Sequence, residues 1–211
     1  MKAEFGHRIA LVTGACAAPG TAVVEALARR GTPVAAVDGD GARLAELVER
    51  WQGTGLRIVG RQIDVTSGAA VDALVDQVER EFGPIDALVT TAAELRPGPA
   101  LTISDADWAQ SFAVNADGVF HASRAVAARM VLRRRGTIVV VAAHPVAGLR
   151  SGTAAYAASL AAAVTYTEHL AVEVAACGVH CAVVAPEDPR RVVDEVCFLL
   201  ADVVPGSAVP A

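Results

Sequence analysis

Apolar positions along this chain follow two alternating patterns. Short, largely aliphatic runs occur at 9–12, 33–37, 56–63, 85–89, 137–141 and 179–184. The first of them, Ile9 to Val12, is β-branched and does not alternate with polar residues, so it reads as a strand buried on both faces. Between them, apolar residues return at helical spacing: Val23, Val24 and Leu27, then Leu44, Leu47 and Val48, then Val71, Leu74, Val75 and Val78. Further helices are expected over 41–50, 104–133, 153–176 and 189–201. Their ends carry the expected chemistry. Ser67 and Ser104 stand at amino-terminal caps, the latter with Asp105 and Asp107 against the positive end of the helix. Gly31, Gly53, Gly83-Pro84 and Gly136 follow as stops. Strands alternating with helices imply an α/β fold, one doubly wound parallel sheet of about six strands with helices on both faces.

The first strand–turn–helix–strand unit carries the strongest functional signal. The turn Thr13-Gly14-Ala15-Cys16-Ala17-Ala18-Pro19-Gly20 brings a helix amino terminus to the carboxyl end of the first strand. Unpaired amides and the positive dipole end meet there, which suits a pyrophosphate. Asp38 ends the second strand, where the adenosine ribose of a dinucleotide sits; a carboxylate there accepts both ribose hydroxyls and repels a 2′-phosphate. The unit therefore favours NAD over NADP. The competing reading is a glycine-tolerant turn that binds nothing.

The bulk properties narrow the choice. With 211 residues, 54% apolar and only 4% aromatic, the chain builds one aliphatic, alanine-rich domain over 1–211. A net charge of −5 without long runs of either sign gives no footprint for nucleic acid. No stretch reaches the roughly 20 apolar residues of a membrane span, and the amino terminus does not read as a signal peptide. Cys16, Cys177, Cys181 and Cys197 form no CxxC pair, so free thiols in a reducing cytoplasm are expected, and no metal site. Arg133-Arg134-Arg135 reads as a solvated helix terminus.

Several motifs together resemble the short-chain dehydrogenase/reductase family over essentially the whole length. They are Thr13-Gly14 with Gly20, Asp38, Asp64-Val65 after the third strand, Asn115 in the long helix, and Tyr156 opening the alanine-rich helix. The stretches LRPGPALTISDADWAQSFAVNADGVF, GTAAYAAS and EVAACGVHCAVVAP are similar to the subgroup that oxidises 2,3-dihydro-2,3-dihydroxybenzoate, an isochorismate-derived cyclic diol. The resemblance implies cofactor contacts at Thr13, Gly14, Cys16, Pro19, Gly20, Asp38, Asp64, Val65 and Ala92. It also implies a catalytic constellation of Asn, Ser, Tyr and Lys, and a homodimer or homotetramer paired through the two long helices. In that constellation tyrosine is the acid/base, serine bonds the substrate oxygen, lysine lowers the tyrosine pKa, and asparagine steadies a water.

Here Asn115 and Tyr156 match, whereas the lysine position is Leu160 and the serine position is Ala143. His144, beside the vacated serine position, is a candidate general base, and Arg150 a candidate replacement cation. Other departures lie around the cofactor. Ala18 brings a methyl near the pyrophosphate or a backbone angle alanine dislikes. Thr90-Thr91-Ala92-Ala93 replaces Asn-Asn-Ala-Gly, which reduces the side-chain bonds beneath the cofactor, and Glu187 sets a carboxylate near its phosphates. The resemblance implies a substrate lid between the sixth strand and last helix and a seventh strand; neither is expected here. The expectation is an NAD-dependent dehydrogenase of cyclic dihydrodiols, impaired or lost in activity. The alternative is a repurposed homologue: a binding or partner subunit, or a catalyst of a non-redox dehydration or isomerisation.

Overall fold

Each apolar run becomes a strand in the computed structural model, which describes residues 9–142, 151–185, 188 and 191–201. The strands are β1 (Ile9–Thr13), β2 (Val34–Asp38), β3 (Ile58–Gln62), β4 (Ile85–Thr90), β5 (Gly136–Val141) and β6 (Val179–Val184). All pairings are parallel, in the order β3-β2-β1-β4-β5-β6. Chain order therefore reverses direction between β1 and β4, and loops diverge there to open a crevice.

The helices are α1 (Gly20–Arg29), α2 (Gly41–Trp51), α3 (Gly68–Phe82), α4 (Asp105–Phe112), α5 (Gly118–Arg133), α6 (Ala154–Val174) and α7 (Val192–Ala201). One core packs α3, α5 and α6 against Leu11, Leu88 and Ile138; the other packs α1, α2 and α7 against Val12, Val89 and Val139. Neighbouring residues of one strand thus serve opposite cores, which is why the central strands β1 and β4 are buried along their whole length, whereas edge strand β3 carries Arg61 and Gln62. Ser67 and Ser104 cap as expected, their hydroxyls accepting from the amides of Ala70 and Asp107 at 3.3 and 3.0 Å.

Three expectations need correction. The long helix over 104–133 is interrupted: residues Ala113–Asp117 form a π-helical turn between α4 and α5, with Asn115 buried inside it. The buried amide side chain bonds outside the helix, which the widened turn accommodates; π-turns often mark functional sites. The arginine cluster is engaged rather than simply solvated. Arg133 pairs with Glu79 at 2.9 Å and donates to Ile85 O, Arg134 donates to Ala176 O, and Arg135 reaches Asp86 at 3.1 Å. It ties the end of α5 to α3, to β4 and to the turn that follows α6. Finally, of the two consequences expected of Ala18, the left-handed backbone angle does not occur, since Arg134 is the one non-glycine residue with positive φ among the described residues.

The shortened connection after β6 is present. Only residues 185–191 separate Val184 from Val192. β3 and β6 are the two edges of the described sheet. No helix among the described residues is long and apolar enough to cross a membrane.

Candidate functional site

The cleft at the β1/β4 reversal has a volume of about 780 Å³, within the range of small-molecule sites. Gly14, Asp38, Asp64, Val65 and Ala92, all expected at a cofactor, line it. Asp38 ends β2, and both its oxygens are held by backbone: Oδ2 accepts from Cys16 N–H at 2.9 Å and Oδ1 from Asp40 N–H at 3.0 Å. A carboxylate has about four lone-pair positions, so two remain for a ligand's hydroxyls. Asp64 is fixed by its own turn, Oδ1 accepting from the Thr66 amide and hydroxyl.

The turn from β1 into α1 owes its shape to two glycines. Gly14 has φ +74°, and a Cβ there falls 2.4 Å from Ala92 N. A Cβ on Gly20 falls 2.0 Å from Gly14 O and 2.6 Å from Thr91 Oγ1. The turn therefore sits hard against the end of β4, a contact only glycine permits. Thr13 is buried at the end of β1, and Pro19 stands at the α1 cap with no side-chain acceptor on the helix amides. Cys16 is buried beside the turn and lines the adjoining groove, not this cleft; burial, then the Asp38 carboxylate, push its thiol up to about 12. It is no thiolate at neutral pH.

The stitching below the cleft is better than the replaced asparagines suggest. Thr91 Oγ1 donates to Thr13 O at 2.7 Å and lies 3.1 Å from Gly14 O, so one hydroxyl joins β4 to the turn. Thr90 contributes nothing comparable, since its buried hydroxyl has no partner.

Asn115 links the cleft to the tyrosine helix. Its Oδ1 accepts from Glu94 N–H at 2.7 Å, and its Nδ2 donates to Glu94 O at 3.0 Å and to Ser159 Oγ at 2.9 Å. Ser159 in turn donates to Tyr156 O at 3.0 Å. The loop after β4 is held a second time where Gly98 N–H donates to Gly152 O at 3.0 Å, beside the start of α6. Sequence reasoning missed Ser159 and Glu94. The available signal for Ser159 was a polar residue three positions after Tyr156 within an alanine-rich helix.

Tyr156 is half-buried against the α3/α5/α6 core, and burial raises its phenol above the ordinary value. No charge from the described residues contributes to that shift. Leu160, one turn further along, is buried in the same core. Tyr156 and Leu160 are not among the described residues that line the cleft. Ala143, His144, Arg150 and Glu187 lie outside the described residues. The thiols of Cys16, Cys177, Cys181 and Cys197 are free, and no metal-binding cluster occurs among the described residues.

The residues at this end of the cleft fit an adenine dinucleotide: a pre-oriented carboxylate with spare acceptor capacity, a second carboxylate beyond it, and a helix amino terminus without a side-chain cap.

Comparison with known proteins agrees with the architecture. The chain is 41% identical over 179 residues to the 2,3-dihydro-2,3-dihydroxybenzoate dehydrogenase of Bacillus subtilis (strain 168), covering 85% of this chain and 69% of that protein. It is 33% identical over 185 residues to a 3-oxoacyl-[acyl-carrier-protein] reductase of Escherichia coli (strain K12), covering 87% and 74%. Among solved structures, NAD+-bound xylitol dehydrogenase superposes with TM-score 0.87 at 26% identity, covering 94% of each chain. A metagenomic short-chain oxidoreductase in complex with NADP gives TM-score 0.88 at 25% identity, covering 94% and 92%. The family model for short chain dehydrogenases matches residues 8–188, and with the sheet order and the relatives above it makes this chain a member of the short-chain dehydrogenase/reductase family.

Proposed function

We propose that this protein binds an adenine dinucleotide of the NAD type, and that dehydrogenase turnover at its tyrosine site is impaired or lost. The observation that carries the binding half is the Asp38 carboxylate, fixed by Cys16 and Asp40 amides at the mouth of the β1/β4 cleft. In this reading Asp38 holds the ribose hydroxyls, Asp64 and Val65 border the adenine, and the Thr13–Gly20 turn faces the pyrophosphate. When bound, the nicotinamide supplies hydride transfer. The chain's own residues supply everything else.

Tyr156 has to exchange a proton with the substrate hydroxyl. An ordinary phenol, with a pKa near ~10, is ionised in about one molecule per thousand at pH 7. Burial pushes Tyr156 further towards the neutral form, and buried Leu160 brings no charge to reverse it. Oxidation of an alcohol needs the phenolate as base, so that direction suffers most. With Ala143 at the family's serine position, a donor to the reacting oxygen is lost as well, worth on the order of 3 kcal/mol of barrier. The 41% identity to a dihydrodihydroxybenzoate dehydrogenase supports a cyclic dihydrodiol or its product as the ligand class.

That burial raises the Tyr156 phenol, with no charge from the described residues contributing, also favours a second reading. A neutral phenol still donates a hydrogen bond, which suits a binding or partner subunit, or a non-redox dehydration or isomerisation. A cytoplasmic homodimer or homotetramer through α5 and α6 belongs to both readings. Phe120 on α5 meets Tyr166 on α6 edge-on at 5.5 Å, with Arg124 above the Phe120 ring.

The test is titration with NADH and NADPH, followed by melting temperature and fluorescence, together with turnover of a cyclic dihydrodiol. A ligand far above its dissociation constant raises stability, so NADH at millimolar concentration shifts the melting temperature. No shift sinks the dinucleotide reading. Brisk diol oxidation near neutral pH by the unaltered chain sinks the impairment.

A further inference from the structure

We propose that His121 is a positioning residue for the adenine end of the cleft, aiming the Asp64 carboxylate through a single peptide plane; this rests on the dinucleotide reading above. His121 stands in the first turn of α5, and its Nδ1 lies 3.1 Å from Val65 O. A carbonyl oxygen only accepts, so Nδ1 carries the proton and donates. Val65 O and Thr66 N–H belong to one planar trans peptide unit, so they point in opposite directions and turn together. The N–H end of that unit donates to Asp64 Oδ1 at 2.9 Å, where the Thr66 hydroxyl joins it at 2.7 Å. Contact therefore runs from α5, through a rigid peptide, to a carboxylate that lines the cleft. Both bonds fall on Oδ1, which leaves Oδ2 without a partner among the described residues and able to accept from a ligand.

Packing supports the same tie. A Cβ on Gly68, at the start of α3, would fall 3.1 Å from His121 Cδ2, and one on Gly118 would fall 3.0 Å from Val65 Cγ2. The start of α5 thus sits against the turn at Val65 and again at Gly68. It also follows the π-turn that carries Asn115, so one stretch of helix steadies the loop after β4 and the turn after β3. Without the imidazole the turn keeps its internal bonds to Asp64 but loses its hydrogen bond to α5. The peptide can then rotate and carry the carboxylate with it.

The readout is discrimination between bases. An aimed carboxylate accepts from the exocyclic amine of adenine and repels the exocyclic carbonyl of hypoxanthine. Calorimetric titration with NADH and with reduced nicotinamide hypoxanthine dinucleotide gives the ratio of their dissociation constants. We expect the parent chain to favour NADH, and His121→Leu to weaken that preference about fivefold, the worth of one net hydrogen bond. His121→Asn is the rescue: its amide nitrogen is attached to Cγ as Nδ1 is, so it can donate to Val65 O and should restore the ratio. A merely structural role would weaken both ligands together and leave the ratio unmoved. His121→Ala gives the same comparison should His121→Leu not fold. A parent that binds NADH without preferring it, an unmoved ratio in His121→Leu, or no return in His121→Asn refutes the positioning role and leaves the dinucleotide reading intact. Failure of the parent chain to bind either dinucleotide overturns both.

Discussion

Leu160→Lys should restore a measurable population of Tyr156 phenolate. Residues four apart on a helix have Cβ atoms about 6 Å apart, so the new ammonium lies within reach of the phenol. At an effective dielectric of about 20, a unit charge at that distance is worth about 3 kcal/mol, or roughly a hundredfold in the phenolate-to-phenol ratio. The substitution has a structural penalty, because Leu160 is only 3% exposed. Losing its packing and partly burying an ammonium costs about 2–4 kcal/mol, softened if the lysine stem follows the apolar surface outward. Leu160→Met, which conserves volume, is the control.

The assay is spectrophotometric titration of tyrosinate, made tractable because the chain has only two tyrosines, Tyr156 and Tyr166. A Tyr156→Phe background isolates each contribution. Ionisation of Tyr156 should move to lower pH in Leu160→Lys and stay put in Leu160→Met. In the parent chain, residual diol oxidation should climb about tenfold per pH unit through the alkaline range, with the climb ending at lower pH in Leu160→Lys. Adding Ala143→Ser should raise the rate again. A folded Leu160→Lys chain whose tyrosine titrates as the parent's does would refute the electrostatic account of the impaired site.

Other outcomes follow from the same geometry. Asn115→Ala leaves Glu94 N–H and C=O and Ser159 Oγ without their partner, and should cost about 2–4 kcal/mol in denaturant unfolding, with looser protection of the loop after β4 in hydrogen exchange. Gly20→Ala places a methyl against Gly14 O and Thr91 Oγ1 and should cost about 3 kcal/mol while weakening NADH binding; a neutral effect on melting would mean the turn is less tightly packed than described. Cys16 is pushed up from 9.0 to about 12 and Cys181 to about 11, so the unfolded chain loses these protons first. Their contribution is whole below pH 9 and disappears as pH rises through 11–12, so the melting temperature should fall over that window, and less steeply in Cys16→Ala.

The α/β class and most element boundaries follow from residues close together in sequence. The run 137–141 is β-branched and almost wholly apolar, and it lies in β5; Ser67 precedes a helical apolar spacing, and it caps α3. Local chemistry dictates such features, because hydrogen bonding within a few residues and the period of the apolar pattern are properties of the sequence itself. The position of Asp38 at the end of β2 is equally local, and with it the place of the proposed ribose contact.

Tertiary structure decided what those residues touch. Asp38 meets the amide of Cys16, 22 positions earlier, and Thr91 meets the carbonyl of Thr13, 78 positions earlier, because parallel strands bring distant turns to one edge of the sheet. Asn115 joins Glu94 to Ser159 across three separate elements through a π-turn that no periodicity announces. Whether a lost asparagine is compensated, or an arginine cluster is tied down, depends on groups far along the chain. Sequence sets the scaffold and the candidates; the fold assigns their partners, because hydrogen bonds and charge act through space and not along the chain.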